Sequence, residues 1–233
     1  MPYIFTCEHG GNRIPPRYRH LFKGQARTLA SHLGWDRGAL QLARVCARDC
    51  SVPLYSSRIS RLLVDLNRSH RHPSLFSAFT RSLHKGDREE ICASYYFPYR
   101  NQVESAIRDE KRTPVIHLSF HSFTPELDGR VRDSDIGLLY DPARKHELEF
   151  CMDLQSELKQ TFTRLVIKRN YPYRGTADGF TTYLRKCFPQ QKYLGIEIEI
   201  NQKHVGPGKR CWQELLDKFG KILNGASTRL FAG

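Results

Sequence analysis

Short apolar runs alternate with longer amphipathic stretches along the whole chain. The short runs predict β-strands, and apolar positions repeated at three- and four-residue steps predict helices. This alternation is typical of an α/β protein whose helices cover a central sheet. The predicted strands are residues 3–7, 52–57, 62–65, 115–120, 136–140, 165–168 and 193–200. The predicted helices are residues 37–49, 88–109, 145–162, 179–188 and 210–223.

The organisation of the chain predicts a single domain over residues 1–233. No proline- or glycine-rich linker, internal repeat or low-complexity segment divides the sequence. Residues 69–86 have no regular period, so we expect a long surface excursion there. Loops of that length in compact domains are often functional.

Composition narrows the classes of protein to consider. No apolar stretch is long enough to span a bilayer, and the N-terminus lacks the pattern of a signal peptide. The seven cysteines are odd in number and form no Cys-x-x-Cys pair, which favours reduced thiols. We therefore expect a cytoplasmic protein that does not bind a membrane.

The chain is strongly basic, with a net charge of +13 and a pI near 9.6. Such a charge attracts either nucleic acid or small acidic molecules. The arginines are scattered, and no motif of a nucleic-acid-binding module is present. We expect general basicity that attracts a small anion, and a nucleic-acid-binding module is the disfavoured alternative.

Two histidines are predicted at the carboxyl ends of strands. His9 follows the first strand and precedes two glycines, which let the backbone approach a ligand closely. His121 follows a strand in which His117 lies on the same face. Neutral imidazoles are good zinc ligands, and open α/β sheets bind ligands at this edge. The alternatives are that His9 is incidental to a turn and that His117 is a buried supporting residue.

Two carboxylates alternate with isoleucines in the last predicted strand. Glu197 and Glu199 point to the same face, and carboxylates in an apolar strand are costly unless paired, hydrogen-bonded or bound to metal. One of them can therefore serve as a general base on a metal-activated water. Solvated glutamates on an edge strand fit the same pattern, and the sequence does not distinguish the two glutamates.

Polar side chains follow the predicted strand at 62–65. Arginine holds carboxylates in a bidentate manner, so Arg68 beside Asn67 is a candidate clamp for an acidic substrate. Arg61 is a candidate for stabilising an oxyanion, and Tyr173 is a candidate for lining the substrate cleft. A surface pair of an aspartate and an arginine is the alternative interpretation of residues 65–68.

Longer motifs occur in order over nearly the whole chain. They are Cys-Glu-His-Gly-Gly-Asn-Arg-Ile-Pro at 7–15, Gly-Trp-Asp-Arg-Gly-Ala at 34–39, Val-Asp-Leu-Asn-Arg-Ser at 64–69, His-Leu-Ser-Phe-His-Ser-Phe-Thr-Pro at 117–125, Asp-Ile-Gly-Leu-Leu-Tyr-Asp-Pro at 135–142, Asn-Tyr-Pro-Tyr-Arg-Gly at 170–175 and Glu-Ile-Glu-Ile-Asn at 197–201. Together they resemble the N-formylglutamate amidohydrolase family, which is similar in fold to zinc carboxypeptidases and aspartoacylase-like deacylases. The resemblance implies a three-layer α/β/α fold around a mixed sheet.

The resemblance also implies an activity and roles for individual residues. His9 and His121 match zinc ligands, Glu199 matches the general base, and Asn67 and Arg68 match the clamp for the substrate carboxylate. The implied reaction is zinc-dependent hydrolysis of the amide bond of a small N-acyl acidic amino acid such as N-formylglutamate, with one zinc ion. A zinc carboxypeptidase, or a deacylase for another N-acyl amino acid or peptide, is the alternative.

One position departs from the wider group. Where that group has His-x-x-Glu, with the glutamate as a zinc ligand, this chain has Asn12 after His9. We expect Asp36 to supply the missing acid, with Asn12 and Glu8 as alternatives. Glu8 is expected to point to the face opposite His9 if the strand persists, and Asp36 has the alternative interpretation of a helix N-cap.

Overall fold

The computed structural model describes the backbone of residues 1–229 and contains a central six-stranded sheet. The strands are β1 (Tyr3–Cys7), β2 (Leu54–Ser56), β3 (Val115–Phe123), β4 (Glu126–Leu127), β5 (Arg130–Val131), β6 (Ile136–Leu139), β7 (Ile167–Arg169) and β8 (Tyr193–Asn201). The order of strands in the central sheet is β2-β1-β3-β8-β6-β7, and β6 runs antiparallel to β8 whereas the other pairs are parallel. A separate hairpin joins β4 and β5.

Helices cover both faces of the sheet, because successive side chains of each strand point to opposite faces and both faces are apolar. The α-helices are α1 (Ala26–Ala30), α2 (Ala39–Cys50), α3 (Lys85–Ile91), α4 (Phe97–Asp109), α5 (Lys145–Thr161), α6 (Phe180–Cys187) and α7 (Arg210–Arg229). The core on one face contains α2, α5 and α7, and the core on the other contains α4 and α6. The predicted α/β/α architecture with a mixed sheet is confirmed.

The register of the central strands sets the positions of the candidate site residues. In β3 and β8, which are parallel, His121 lies beside Glu199 and Ser119 lies beside Glu197. β1 is parallel to β3 on its other side. The carboxyl ends of β1, β3 and β8 therefore meet at one edge of the sheet.

The strand predicted at 62–65 is wrong. These residues form turns: the amide of Leu63 donates to the carbonyl of Ser60 at 2.9 Å, and the amide of Asp65 donates to the carbonyl of Leu75 at 2.9 Å. Leu63 and Val64 are nevertheless buried, because they pack under α4 and α6. The apolar run therefore reflects burial in a helix-covered core and not pairing in the sheet.

Other elements differ from the prediction in detail. The helix predicted at 88–109 is divided into α3, a π-helical turn at Cys92–Tyr96 and α4. Residues 69–84 form the expected excursion without strands or regular helices. The hairpin of β4 and β5 was not predicted, although Asp128-Gly129, both with positive φ, is a strong signal for a two-residue turn. Within residues 1–229, no helix is both long and apolar enough to cross a bilayer.

Candidate active site

A cavity of about 170 Å³ lies at the edge where β1, β3 and β8 end. A larger cavity of about 1050 Å³, beside α2 and α7, contains none of the predicted site residues. Asn12 lies outside the smaller cavity, and its amide donates to the carbonyl of Leu29 at 3.1 Å. The predicted site residues that line the smaller cavity are His9, Asp36, Arg61, Asn67, Arg68, His121, Tyr173 and Glu199.

Two imidazoles and one carboxylate converge at the base of this cavity. His9, Asp36 and His121 each offer one ligand atom, and these atoms all lie within 4.8 Å of one another. Asp36 Oδ2 is 2.9 Å from His121 Nδ1 and 3.4 Å from His9 Nδ1. The interpretation of Asp36 as a helix N-cap is wrong, because Gly38 occupies the N-cap of α2 and no side chain caps that helix.

The imidazole of His9 is fixed by a carboxylate behind it. His9 Nε2 lies 2.7 Å from Asp65 Oδ1, and Arg61 Nη2 donates to Asp65 Oδ2 at 2.8 Å. Burial would raise the pKa of Asp65, but Arg61 and His9 lower it well below its ordinary value. Asp65 is therefore ionised and can only accept, so His9 Nε2 carries the proton. Nδ1 of His9 then faces Asp36.

The imidazole of His121 is fixed in a similar way. Ser119 Oγ donates its only hydrogen to Glu8 Oε2 at 2.6 Å. In its 2.9 Å contact with His121 Nε2, Ser119 Oγ must therefore be the acceptor, so Nε2 carries a proton. Glu8 Oε2 is also 3.2 Å from His121 Nε2. The fully buried Glu8 accepts a further hydrogen bond from Tyr99 at 2.9 Å. Nδ1 of His121 therefore faces Asp36 too.

The position of Glu8 corrects the expectation that it points away from the site. β1 ends at Cys7, so the strict alternation of a strand no longer applies at the next two residues. Glu8 lies behind His121, and His9 turns towards the same centre. Sequence reasoning also missed Asp65 as the partner of His9. The available signal was its place in the Asp-x-Asn-Arg motif at 65–68.

This donor set fits a divalent cation. With both Nε2 atoms protonated, the two Nδ1 atoms and the Asp36 carboxylate converge on one point. Burial lowers the pKa of His121, but Asp36 and Glu8 outweigh it and raise that pKa well above its ordinary value. In the metal-free protein His121 therefore also carries a proton on Nδ1, which it donates to Asp36 Oδ2 at 2.9 Å, and a divalent cation would take the place of that proton. Two histidines and one carboxylate are a known ligand set of catalytic zinc, and carboxylates behind the imidazoles set their tautomers in such sites.

Two glutamates of β8 face the cavity, as the alternation of the strand predicts. Glu197 Oε1 accepts a hydrogen bond from Thr181 at 2.7 Å. Glu199 is buried, and its Oε2 has no hydrogen-bond partner among the described residues. Burial, reinforced by Asp36 and Glu197 against the opposing effect of His121, raises the pKa of Glu199 to about 8. Its carboxyl group is therefore available to exchange a proton in the cavity.

Cationic and amide groups form another wall of the cavity. Arg61 Nη1 lies 3.5 Å from Asp36 Oδ1, in addition to its contact with Asp65, and about a quarter of its side chain is exposed. Arg68 Nη1 donates to the carbonyl of Asp178 at 2.9 Å. Asn67 also lines the cavity, and its Oδ1 accepts from the backbone amide of Phe180 at 2.7 Å, so its NH₂ group remains available as a donor.

Tyr173 lies at the cavity entrance with 43% of its surface exposed. Its hydroxyl accepts a hydrogen bond from Arg132 Nη1 at 3.0 Å, and the guanidinium of Arg132 lies 5.0 Å from the centre of its ring. The predicted lining residue is therefore connected to the segment that follows the β4–β5 hairpin.

The sequence matches a model of the N-formylglutamate amidohydrolase family over residues 1–205. The chain belongs to this family. It is a hydrolase that acts on amide bonds, and the resemblance noted in the sequence is confirmed. No curated protein sequence matches the chain.

Solved structures, among them an N-formylglutamate amidohydrolase and another amidase, share the fold. A gene product from Agrobacterium tumefaciens is 26% identical, with a TM-score of 0.82 over 97% of this chain and 90% of its own. The N-formylglutamate amidohydrolase from Ralstonia eutropha JMP134 is 17% identical, with a TM-score of 0.70 over 98% and 94%. The CwlD amidase from Clostridioides difficile is 11% identical, with a TM-score of 0.50 over 98% and 99%.

Proposed function

We propose that the protein uses a bound zinc ion to hydrolyse the amide bond of a small N-acyl acidic amino acid, such as N-formylglutamate. The observation that carries the proposal is the convergence of His9, Asp36 and His121 beside the buried carboxyl group of Glu199. The whole chain, residues 1–233, would serve as one catalytic domain, and its last four residues lie outside the described part.

His9, Asp36 and His121 would hold the ion through their converging acceptors. A bound zinc ion supplies a Lewis acid that polarises the scissile carbonyl and lowers the pKa of water to roughly 7. Asp65 and Glu8 keep the two imidazoles in the tautomer that presents Nδ1 to the centre.

Glu199 would act as the general base. Its Oε2 is free to accept the proton of the attacking water and then to return it to the leaving nitrogen. A pKa near the working pH suits both transfers, and the pKa of about 8 results from burial. Glu197 is held by Thr181, so we assign the proton transfers to Glu199.

Arg68 and the Asn67 NH₂ group would bind the substrate carboxylate. A carboxylate placed there lies in the same small cavity as Glu199, so the scissile amide is oriented towards the base. Arg61, which is fixed by Asp65 and Asp36, would donate to the oxyanion that develops on the carbonyl oxygen. Tyr173 would cover the substrate at the entrance.

The size of the cavity favours a small substrate. Its volume of about 170 Å³ is below the ~300–1000 Å³ of pockets that enclose drug-sized ligands. A single N-acyl amino acid is therefore a better fit than a peptide. A deacylase for another N-acyl group is the remaining alternative.

The test combines metal analysis with a substrate panel. We expect one zinc ion per chain by elemental analysis, and faster turnover of N-formylglutamate than of N-acetylglutamate, N-formylleucine or dipeptides. His121→Ala should lose both zinc and turnover, whereas His32→Ala, at an exposed histidine outside the cavity, should lose neither. Full activity of His121→Ala, or purified active enzyme without metal, would refute the proposal.

A further inference from the structure

Residues 65–68 carry three groups of the site on irregular backbone. Asp65 holds His9, while Asn67 and Arg68 line the cavity. The segment belongs to no strand or helix, so no ladder of backbone hydrogen bonds satisfies its carbonyls. Buried carbonyl groups need donors from elsewhere, and without them their positions are not fixed.

The donors come from α4 and the turn before it. Arg100, only 4% exposed, donates through Nη1 to the carbonyls of Leu66 at 2.9 Å and Arg68 at 3.3 Å. The hydroxyl of Tyr96 donates to the same Arg68 carbonyl at 2.8 Å. Two side chains therefore hold the backbone on both sides of Asn67.

Arg100 is an unusual residue to bury at this place. Among the described residues no carboxylate forms an ion pair with it, and its Nη2 has no hydrogen-bond partner. Burial lowers its pKa. Its guanidinium is instead surrounded by the rings of Phe180, Tyr183 and Tyr96, at 4.3, 4.5 and 4.9 Å from their centres. Cation–π contacts offset part of the cost of burying an unpaired charge.

The same elements also contact the Asn67 side chain. Phe180, which stacks on Arg100, donates its amide to Asn67 Oδ1 at 2.7 Å. The π-helical turn at Cys92–Tyr96 ends at Tyr96, four residues before Arg100. Single π-helical turns inside helices are frequent at functional sites, and here the turn leads into the pair that holds the Arg68 carbonyl.

We propose that Arg100, assisted by Tyr96, is a positioning residue for recognition of the substrate carboxylate. By fixing the carbonyls of Leu66 and Arg68, it holds Asn67 and Arg68 so that their donors face the cavity. This inference rests on the proposed function, because it concerns the clamp of the same site. It adds a specificity role for a residue that lines no part of the cavity.

The test measures the preference for a carboxylate over an uncharged amide. The substrates are N-formyl-L-glutamate and its α- and γ-monoamides, and the readout is the ratio of kcat/KM between the acid and the less favoured amide. In Arg100→Met we expect KM for the acid to rise roughly tenfold, because two hydrogen bonds from a charged donor are lost. We expect kcat and zinc content to stay near the wild-type values, so the ratio falls by the same factor. Arg100→Lys, which keeps the charge, should recover part of it.

Tyr96→Phe and Tyr183→Phe form a matched pair of variants. Both rings stack on Arg100, but the Tyr96 hydroxyl contacts the Arg68 carbonyl whereas the Tyr183 hydroxyl contacts Glu104. We expect Tyr96→Phe to lower the ratio roughly threefold and Tyr183→Phe to leave it unchanged. If Arg100→Met does not fold, this pair of variants still tests the positioning role.

Two results would overturn the inference in distinguishable ways. A wild-type enzyme with no preference for the acid refutes the proposed clamp itself, and with it this role. A wild-type preference that persists in Tyr96→Phe and in folded Arg100 variants refutes the positioning role alone.

Discussion

The carboxyl group of Glu199 gives a quantitative test of the site, through Glu199→Gln. Burial and the neighbouring acids raise its pKa from 4.5 to about 8 in the folded protein. Between these pH values the unfolded chain has lost this proton and the folded chain still holds it. The free energy of unfolding of the metal-free protein therefore falls as pH rises, by roughly 1.4 kcal/mol per pH unit from this group. Glutamine does not titrate, so the variant lacks this contribution.

The assay is urea unfolding of the EDTA-treated proteins at several pH values from 5 to 8. We expect the two proteins to be similar in stability near pH 5 and the variant to be more stable by roughly 4 kcal/mol near pH 8. Adding zinc should reduce the difference, because positive charge near Glu199 favours its ionised form. In the zinc-loaded enzyme, the same substitution should lower kcat by roughly 10²–10⁴-fold.

Glu197→Gln is the control, since it also removes a carboxylate of β8 from the cavity wall. We expect it to reduce kcat far less than Glu199→Gln. Parallel stability curves for wild type and Glu199→Gln, or equal losses of kcat in the two variants, would refute the assignment of the base.

Three further substitutions test separate parts of the structure. Glu8→Gln should weaken zinc binding by roughly 10–100-fold in a chelator competition, because the group behind His121 loses its charge; unchanged affinity would contradict that role. Arg68→Ala should raise KM for acidic substrates by roughly 10–100-fold and leave their amides unaffected, and equal effects on both would argue against a carboxylate clamp. Glu147→Ala, which leaves Arg185 buried without its ion pair, should cost roughly 3–5 kcal/mol in urea unfolding; a loss below ~1 kcal/mol would contradict this.

The central strands and the two histidines at their ends could be predicted from the sequence. β1 and β3 are buried on both faces, so their apolar runs are continuous and distinct from their surroundings. The histidines stand where those runs end. The local sequence pattern is sufficient to predict that these two histidines lie close together, because the carboxyl ends of neighbouring parallel strands meet at one edge of the sheet.

The supporting carboxylates could not be predicted in the same way. Asp65 contacts His9, which is 56 positions away in the sequence, and Glu8 contacts Ser119, which is 111 positions away. A local sequence pattern contains no information about such contacts. The segment at 62–65 was misassigned because burial under helices and burial in a sheet select the same apolar residues. Pairing of strands depends on partners that a single run does not reveal.

The three candidate ligands are far apart along the chain, since Asp36 lies 27 positions from His9 and 85 positions from His121. An ion held by all three would close both loops at once, and it would stabilise only the folded state, because the unfolded chain does not bring the three ligands together. At a free zinc concentration ~100-fold above its dissociation constant, such an ion adds roughly 2.7 kcal/mol to the stability of the folded state. Such an ion would tie the assembly of the first strand with the middle of the sheet to the supply of the metal, and the metal-free protein would then be the more readily cut by a protease.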